Sequence, residues 1–203
     1  VVEVEAPYGY VLNKEEQYVT FVYVDDKTPV IRESLTFAND RQKVDLSVAK
    51  LDGETGLPVS GAEFGLYAAE DIVNVDGKVI VEKDTLLEVA ESDANGDIQF
   101  VKDYPLGHYY AKEIKAPAGY VSCDDVIEFD AEYQGQKVKY ATIIATFHNM
   151  PTTFEFTKED ITSGAELSGA TLTVLDKDGN VVDTWTSKAG EAHVIKKLVV
   201  GES

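Results

Sequence analysis

Apolar and polar residues alternate with a period of two along most of the chain, and no segment sustains a helical stripe for three turns. Val44, Leu46 and Val48 alternate, as do Ile143, Ala145 and Phe147, and then Phe154 and Phe156. Turn signals punctuate these runs at Asp52-Gly53, Asn95-Gly96, Ala118-Gly119, Asp178-Gly179-Asn180 and Ala189-Gly190. Short strands at this spacing, with no helical pattern between them, predict an all-β sandwich. The alternation weakens between about residues 68 and 88, where a short helix or an irregular insert is expected. Val1-Val2-Glu3-Val4-Glu5 reads as a strand belonging to something longer, and any export signal or wall anchor is expected outside these residues.

The chain also repeats itself. Val48-Ala49-Lys50-Leu51-Asp52 returns as Phe156-Thr157-Lys158-Glu159-Asp160, and each lysine is followed 11 residues later by a Gly-Ala pair, Gly61-Ala62 and Gly169-Ala170. Glu113-Ile114-Lys115-Ala116-Pro117-Ala118-Gly119-Tyr120 matches Glu3-Val4-Glu5-Ala6-Pro7-Tyr8-Gly9-Tyr10 at an offset of 110, and the same offset carries Asn39 onto Asn149. Residues 1–41 thus read as the back portion of one repeat, 42–151 as a whole repeat, and 152–203 as the front portion of a third. The last piece stops just after Gly201, which aligns with Gly107, so the two partial pieces are complementary. Partial sandwiches expose apolar faces and strand edges. The expectation is that the front of one chain pairs with the back of another. Self-pairing would need both termini of the whole repeat at one end.

Several polar side chains fall on faces that the alternation assigns to a core, since residues i, i+2 and i+4 of a strand share one side. Lys50 continues the Val44, Leu46, Val48 face, and Lys158 follows Phe154 and Phe156. Asn149 continues Ile143, Ala145 and Phe147, Asn39 continues Leu35 and Phe37, and Glu113 shares the face of Tyr109 and Ala111. Burial favours the neutral amine of a lysine, which is a nucleophile, and the protonated form of a glutamic acid, which can polarise an amide carbonyl. Together they suggest attack of the amine on the asparagine carboxamide, loss of ammonia and a permanent amide cross-link. That reaction needs no cofactor and occurs once per molecule, so the protein is not expected to be an enzyme acting on external substrates. An isolated lysine at a strand end more often extends its head group into water; repetition of the pattern favours the bond.

The Lys-x-Asp…Gly-Ala front and the Glu-x-x-Ala-Pro-x-Gly-Tyr box resemble the B-type repeats of Gram-positive collagen adhesins, also called SpaA-type or prealbumin-like pilin domains. The resemblance implies an inverse immunoglobulin-like sandwich whose first and last strands are adjacent and joined by an isopeptide bond. Carried over by position, Lys50 is the amine, Asn149 the acceptor and Glu113 the catalytic acid; in the partial repeats Glu3 is the acid, Asn39 the acceptor and Lys158 the amine. The resemblance further implies a structural stalk or spacer at a Gram-positive cell surface, in an adhesin or a pilus, with neighbouring repeats as its partners.

Composition narrows the rest. With 18 Lys and Arg against 37 Asp and Glu, the formal charge is −19, which disfavours nucleic acids and anionic membranes, and no apolar run is long enough to span a bilayer. Cys123 is the sole cysteine, so no intramolecular disulfide can form, and it reads as a small inert residue. The rival function is a ligand-binding adhesin module in which Tyr133 and Trp185 would grip a host protein or glycan; both are more simply packing residues. Asp93-Ala94-Asn95-Gly96-Asp97 and Asp176-Lys177-Asp178-Gly179-Asn180 place glycine fourth, unlike a calcium loop, and read as hairpin turns with no metal. His108, His148 and His193 adjoin no nucleophile motif, so no hydrolase machinery is expected.

Overall fold

The computed structural model describes residues 1–27, 30, 32–74 and 76–199. Among the described residues, nine strands build the central module: β1 (Lys43–Asp52), β2 (Glu63–Ala68), β3 (Ile72–Val73), β4 (Val79–Val81), β5 (Leu86–Glu91), β6 (Asp97–Tyr104), β7 (Gly107–Lys115), β8 (Val126–Ala131) and β9 (Tyr140–Asn149). They form two main sheets, ordered β6-β1-β9 and β5-β2-β7-β8. Every second residue of β1, from Val44 to Asp52, is buried, so the period-two pattern of the sequence is the inner face of a sandwich. Leu46, Val48, Ile98, Phe100 and Phe147 from one sheet meet Phe64, Leu66, Tyr109 and Phe129 from the other. Each such side chain contributes about 1.5–3 kcal/mol by leaving water. Among the described residues there is no helix. Within 68–88, where a helix or irregular insert was expected, β3 and β4 instead pair as a small antiparallel ribbon. Its β-branched Ile72, Val73, Val79 and Val81 favour extended backbone.

β1 and β9 are parallel and in contact along ten residues each, from Lys43 opposite Tyr140 to Asp52 opposite Asn149. The chain therefore enters the module at one end and leaves it at the other, about 30 Å away.

The flanking segments sit at these two ends. Residues 1–41 rest on the Lys43 end: Gln42 N–H donates to Gly9 O (2.8 Å), Ala6 N–H to Gln136 Oε1 (2.7 Å), and Arg41 pairs with Asp103 (2.8 Å). Among the described residues of this segment the only ladder contact is a bridge between Tyr10 and Arg41, so neither Val1–Glu5 nor Leu35–Asn39 is a strand, contrary to the alternation. No second sheet lies there among the described residues to bury their apolar faces.

Residues 152–199 dock on the Asp52 end and contain β10 (Thr153–Phe156), β11 (Thr171–Leu175), β12 (Val181–Thr186) and β13 (His193–Lys196), paired β10-β13 and β11-β12. Their positions match those of β1, β2, β5 and β6. Gly201 lies outside the described residues. The two flanking segments occupy opposite ends of the module.

Candidate functional site

Lys50 projects inward from β1 and is 0 % exposed. Its Nζ donates to Leu51 O at 3.3 Å and lies 5.5 Å from the Phe147 ring, which in turn packs edge-on against Phe64. Desolvation pushes the amine pKa down, opposed by the negative potentials of Glu113, Cys123 and Asp52.

Asn149 ends β9 and is equally buried. It stands opposite Asp52, with Phe147 opposite Lys50, so Lys50 and Asn149 lie on adjacent strands and the same face, two residues out of register. That diagonal is about 7–8 Å between backbones, within reach of a long side chain.

Glu113, on β7 of the facing sheet, closes the group. Asn149 Nδ2 donates to Glu113 Oε2 (2.9 Å) and to Val121 O (2.5 Å), and the Cys123 N–H donates to the same Oε2 (3.1 Å). Glu113 Oε1 and Asn149 Oδ1 are both buried and have no hydrogen-bond partner among the described residues. Such an atom costs about 1–3 kcal/mol, so two of them on one hydrogen-bonded pair need a chemical reason.

The flanking segments carry the parts separately. Asn39 Nδ2 donates to Glu3 Oε2 (2.6 Å) and Val11 O (3.0 Å), and Asn13 N–H donates to the same oxygen of Glu3 (2.7 Å). Each of these residues lies 110 positions before its counterpart around Asn149, so the same glutamate–asparagine hydrogen bond forms here even without a sheet. Lys158 Nζ donates to Glu159 O (2.9 Å), as Lys50 does to Leu51, but it is only half-buried. The structure thus buries Lys50 on the same inner face as Asn149, which is bonded to Glu113, pairs Glu3 with Asn39, and joins Lys158 to neither group by a described hydrogen bond.

Sequence reasoning missed the Val121 carbonyl and the Cys123 N–H. A backbone group leaves no side-chain signal, and Cys123 and its counterpart Asn13 differ. It also missed Asp52 as a buried carboxylate, bonded by the Tyr120 hydroxyl (2.8 Å) and Lys197 (2.8 Å), although Asp52 and Tyr120 both sit in the repeated motifs.

Tyr133 packs at a tilt against Tyr8 (4.8 Å) and donates to Tyr10 O, while Trp185 stacks on His193 (4.2 Å) beside Phe156. Asp93 Oδ1 accepts from the N–H groups of Asn95 and Asp97, and Asp176 Oδ1 from those of Asp178 and Asn180, as in hairpin turns.

Among solved structures, the chain is similar to the Bacillus anthracis TIE protein, at 26% identity and TM-score 0.57 over 96% of this chain and 33% of that one. It thus spans about a third of that protein's length. It also matches the full-length major pilin SpaD of Corynebacterium diphtheriae (21% identity, TM-score 0.41, 62% of this chain and 35% of that). BcpA, the major pilin subunit of Bacillus cereus, matches at 22% identity and TM-score 0.38 over 55% of this chain and 31% of that. No curated protein is a significant match. The family model of the SpaA prealbumin-like fold domain matches residues 44–143 and again 152–202, which together make up most of the chain. With the two-sheet sandwich above, this family-model match establishes that the chain belongs to the SpaA prealbumin-like domain family.

Proposed function

We propose that this chain is a load-bearing spacer from a Gram-positive surface protein or pilus, and that its repeat at 42–151 locks itself by an isopeptide bond between Lys50 and Asn149. The observation that carries this reading is the buried Lys50 beside an asparagine–glutamate pair with two unpartnered oxygens. A half-turn of the carboxamide presents Asn149 Oδ1 to the Glu113 carboxyl group, which serves as the acid. The neutral Lys50 amine adds to Cγ, a proton passes from Nζ by way of Glu113 to Nδ2, and the Cγ–Nδ2 bond breaks. One amide forms, one ammonia leaves, and Glu113 regains its proton.

The parallel β1–β9 pair gives this bond its mechanical meaning. Tension between the two ends of the module would shear β1 against β9. With the link in place, force passes from β1 through Lys50 to Asn149 and out, bypassing the rest of the sandwich.

Intact mass under denaturing conditions tests the reading. The parent chain should lack one ammonia for each closed repeat, and Lys50→Ala and Glu113→Gln should each keep the ammonia of the 42–151 repeat. Full mass in the parent would end the proposal.

The same reading makes residues 1–41 and 152–203 the back and front of further repeats, one carrying acid and acceptor and the other the amine. Their placement at opposite ends favours pairing between chains over closure within one. A covalent ladder on a denaturing gel, abolished by Lys158→Ala, would report it. The rival adhesin reading loses support because Tyr133 and Trp185 are engaged in packing; binding of the chain on a glycan array or in a host-protein pull-down would revive it.

A further inference from the structure

The carboxylate of Asp52 lies between the Lys50–Asn149 site and the segment that follows it. Asp52 is 1 % exposed and faces Asn149 across the β1–β9 ladder, and the adjoining Gly53 N–H donates to Asn149 O at 2.9 Å. Its Oδ1 accepts the N–H groups of Glu54 (2.8 Å) and Thr55 (3.0 Å). Its Oδ2 accepts the Tyr120 hydroxyl and is paired with Lys197 Nζ, each at 2.8 Å.

Lys197 is fixed in place rather than merely nearby. Its backbone has φ 63°, a left-handed conformation that costs a residue with a Cβ about 1 kcal/mol or more. The N–H of Lys197 donates to Thr152 O (2.9 Å), and its carbonyl oxygen sits 2.6 Å from where a Cβ on Gly119 would lie. Its ammonium also lies 5.2 Å from the Tyr120 ring. Lys196 beside it holds Glu54 at 2.6 Å.

We propose that Lys197 is a positioning residue for closure of the 42–151 repeat: by pairing with Asp52 it balances the charge of the carboxylate beside the Lys50 amine, so that docking of the following segment makes the site competent. The inference rests on the self-locking reading and adds an order to it, in which a repeat locks after its successor has docked.

Glu113, Cys123 and Asp52 are the titratable groups around Lys50; Glu113 is the acid of the self-locking step and the Cys123 thiol is pushed up and stays neutral, so Asp52 is the standing anion that favours the ammonium over the nucleophilic amine. Asp52 faces Lys197 and Tyr120, and Lys197 chiefly holds its carboxyl well below the usual range, so it is anionic at any working pH. Without Lys197, that anion keeps only neutral donors, its charge acts on Lys50 with no countercharge, and a higher pH is needed to free the amine.

The test follows ammonia loss by intact mass in chains newly made by cell-free synthesis and chased at a series of pH values. Lys197→Met should shift the pH–rate profile upward and slow closure at neutral pH about threefold, the effect of about half a pKa unit at the nucleophile, since Asp52 is the weakest of the groups acting on Lys50. Lys197→Arg should restore the parent profile. The decisive variant is Asp52→Asn with Lys197→Met. The introduced carboxamide keeps an oxygen for the turn but needs no countercharge, so the double variant should close at the parent rate. A double variant as slow as Lys197→Met would reduce Lys197 to a mechanical clamp and overturn the proposal, as would a Lys197→Met profile identical to the parent's. Absence of ammonia loss in the parent would instead sink the underlying reading, and this one with it.

Discussion

The central module and the segment after it follow nearly the same local instructions and end in different states. Lys50 and Lys158 both donate to the carbonyl of the next residue, and Asp52 and Asp160 both cap the turn that follows with two backbone N–H groups. Yet Lys50 is fully enclosed while Lys158 is half-buried. The difference lies in β7, β8 and β9, which complete the sandwich around β1 and have no counterpart after β13 among the described residues. Local sequence sets the hydrogen bonds at the strand end; only the opposing sheet creates the dry interior that lowers a lysine's pKa.

The largest expected difference concerns the link itself. A bond from residue 50 to residue 149 closes a loop of about a hundred residues, worth about 4–5 kcal/mol in chain entropy by analogy with disulfides. Glu113→Gln, which leaves packing nearly unchanged, should lose most of that in denaturant unfolding. Lys158→Gln should leave the unfolding of the central module unaltered. Equal losses from the two variants would mean that the enclosed and open lysines are equivalent.

Next come the cores. Leu46 and Phe154 hold matching positions 108 residues apart, but Leu46 is 0 % exposed and Phe154 36 %. Leu46→Ala should cost about 2–5 kcal/mol. Phe154→Ala should cost well under half as much for want of a surrounding cavity, measurable as separate thermal transitions of the two regions.

How much of this was legible follows the same division. The alternation of β1 and the inward placement of Lys50, Asn149 and Glu113 could be read because a strand's period maps directly onto its two faces. The parallel register of β1 with β9 could not, because it depends on residues nearly a hundred positions apart. Leu35, Phe37 and Asn39 have the same alternation and form no strand, since a pattern becomes a strand only when a partner edge and an opposing face exist. The contacts at the module ends were hidden for another reason: they use backbone atoms and a lysine, Lys197, whose partner Asp52 lies on the other side of the sequence repeat.

The two junctions differ in the tolerance of their equivalent glycines, Gly9 and Gly119. Both adopt positive φ, 85° and 82° respectively, so alanine at either is strained by about 1–2 kcal/mol. At Gly9 the added Cβ would meet only Leu106, at 3.9 Å, whereas at Gly119 it would press on the Lys197 carbonyl at 2.6 Å. Gly119→Ala should therefore displace residues 197–199 and raise protease sensitivity at that end, while Gly9→Ala should leave the first junction protected. Equal sensitivity of the two variants would show that the Lys197 contact is not tight.

The smallest effect is the acid response of the two matching aspartates. Backbone N–H donors, Ser163 foremost, hold the Asp160 carboxyl below its ordinary value, whereas Lys197 leads the causes at Asp52 and carries it further down. A depressed carboxyl stabilises the fold above its unfolded pKa, about 3.9, and the contribution is lost as pH falls through the folded value. The turn at Asp160 should therefore loosen first on acidification from about pH 4, and the junction at Asp52 should hold to lower pH. Carboxyl titration by NMR should place the Asp52 midpoint below that of Asp160, and Lys197→Met should bring the two together. If Asp52 titrated no lower than Asp160 in the parent, the charge at the junction would add nothing to the turn that both aspartates share.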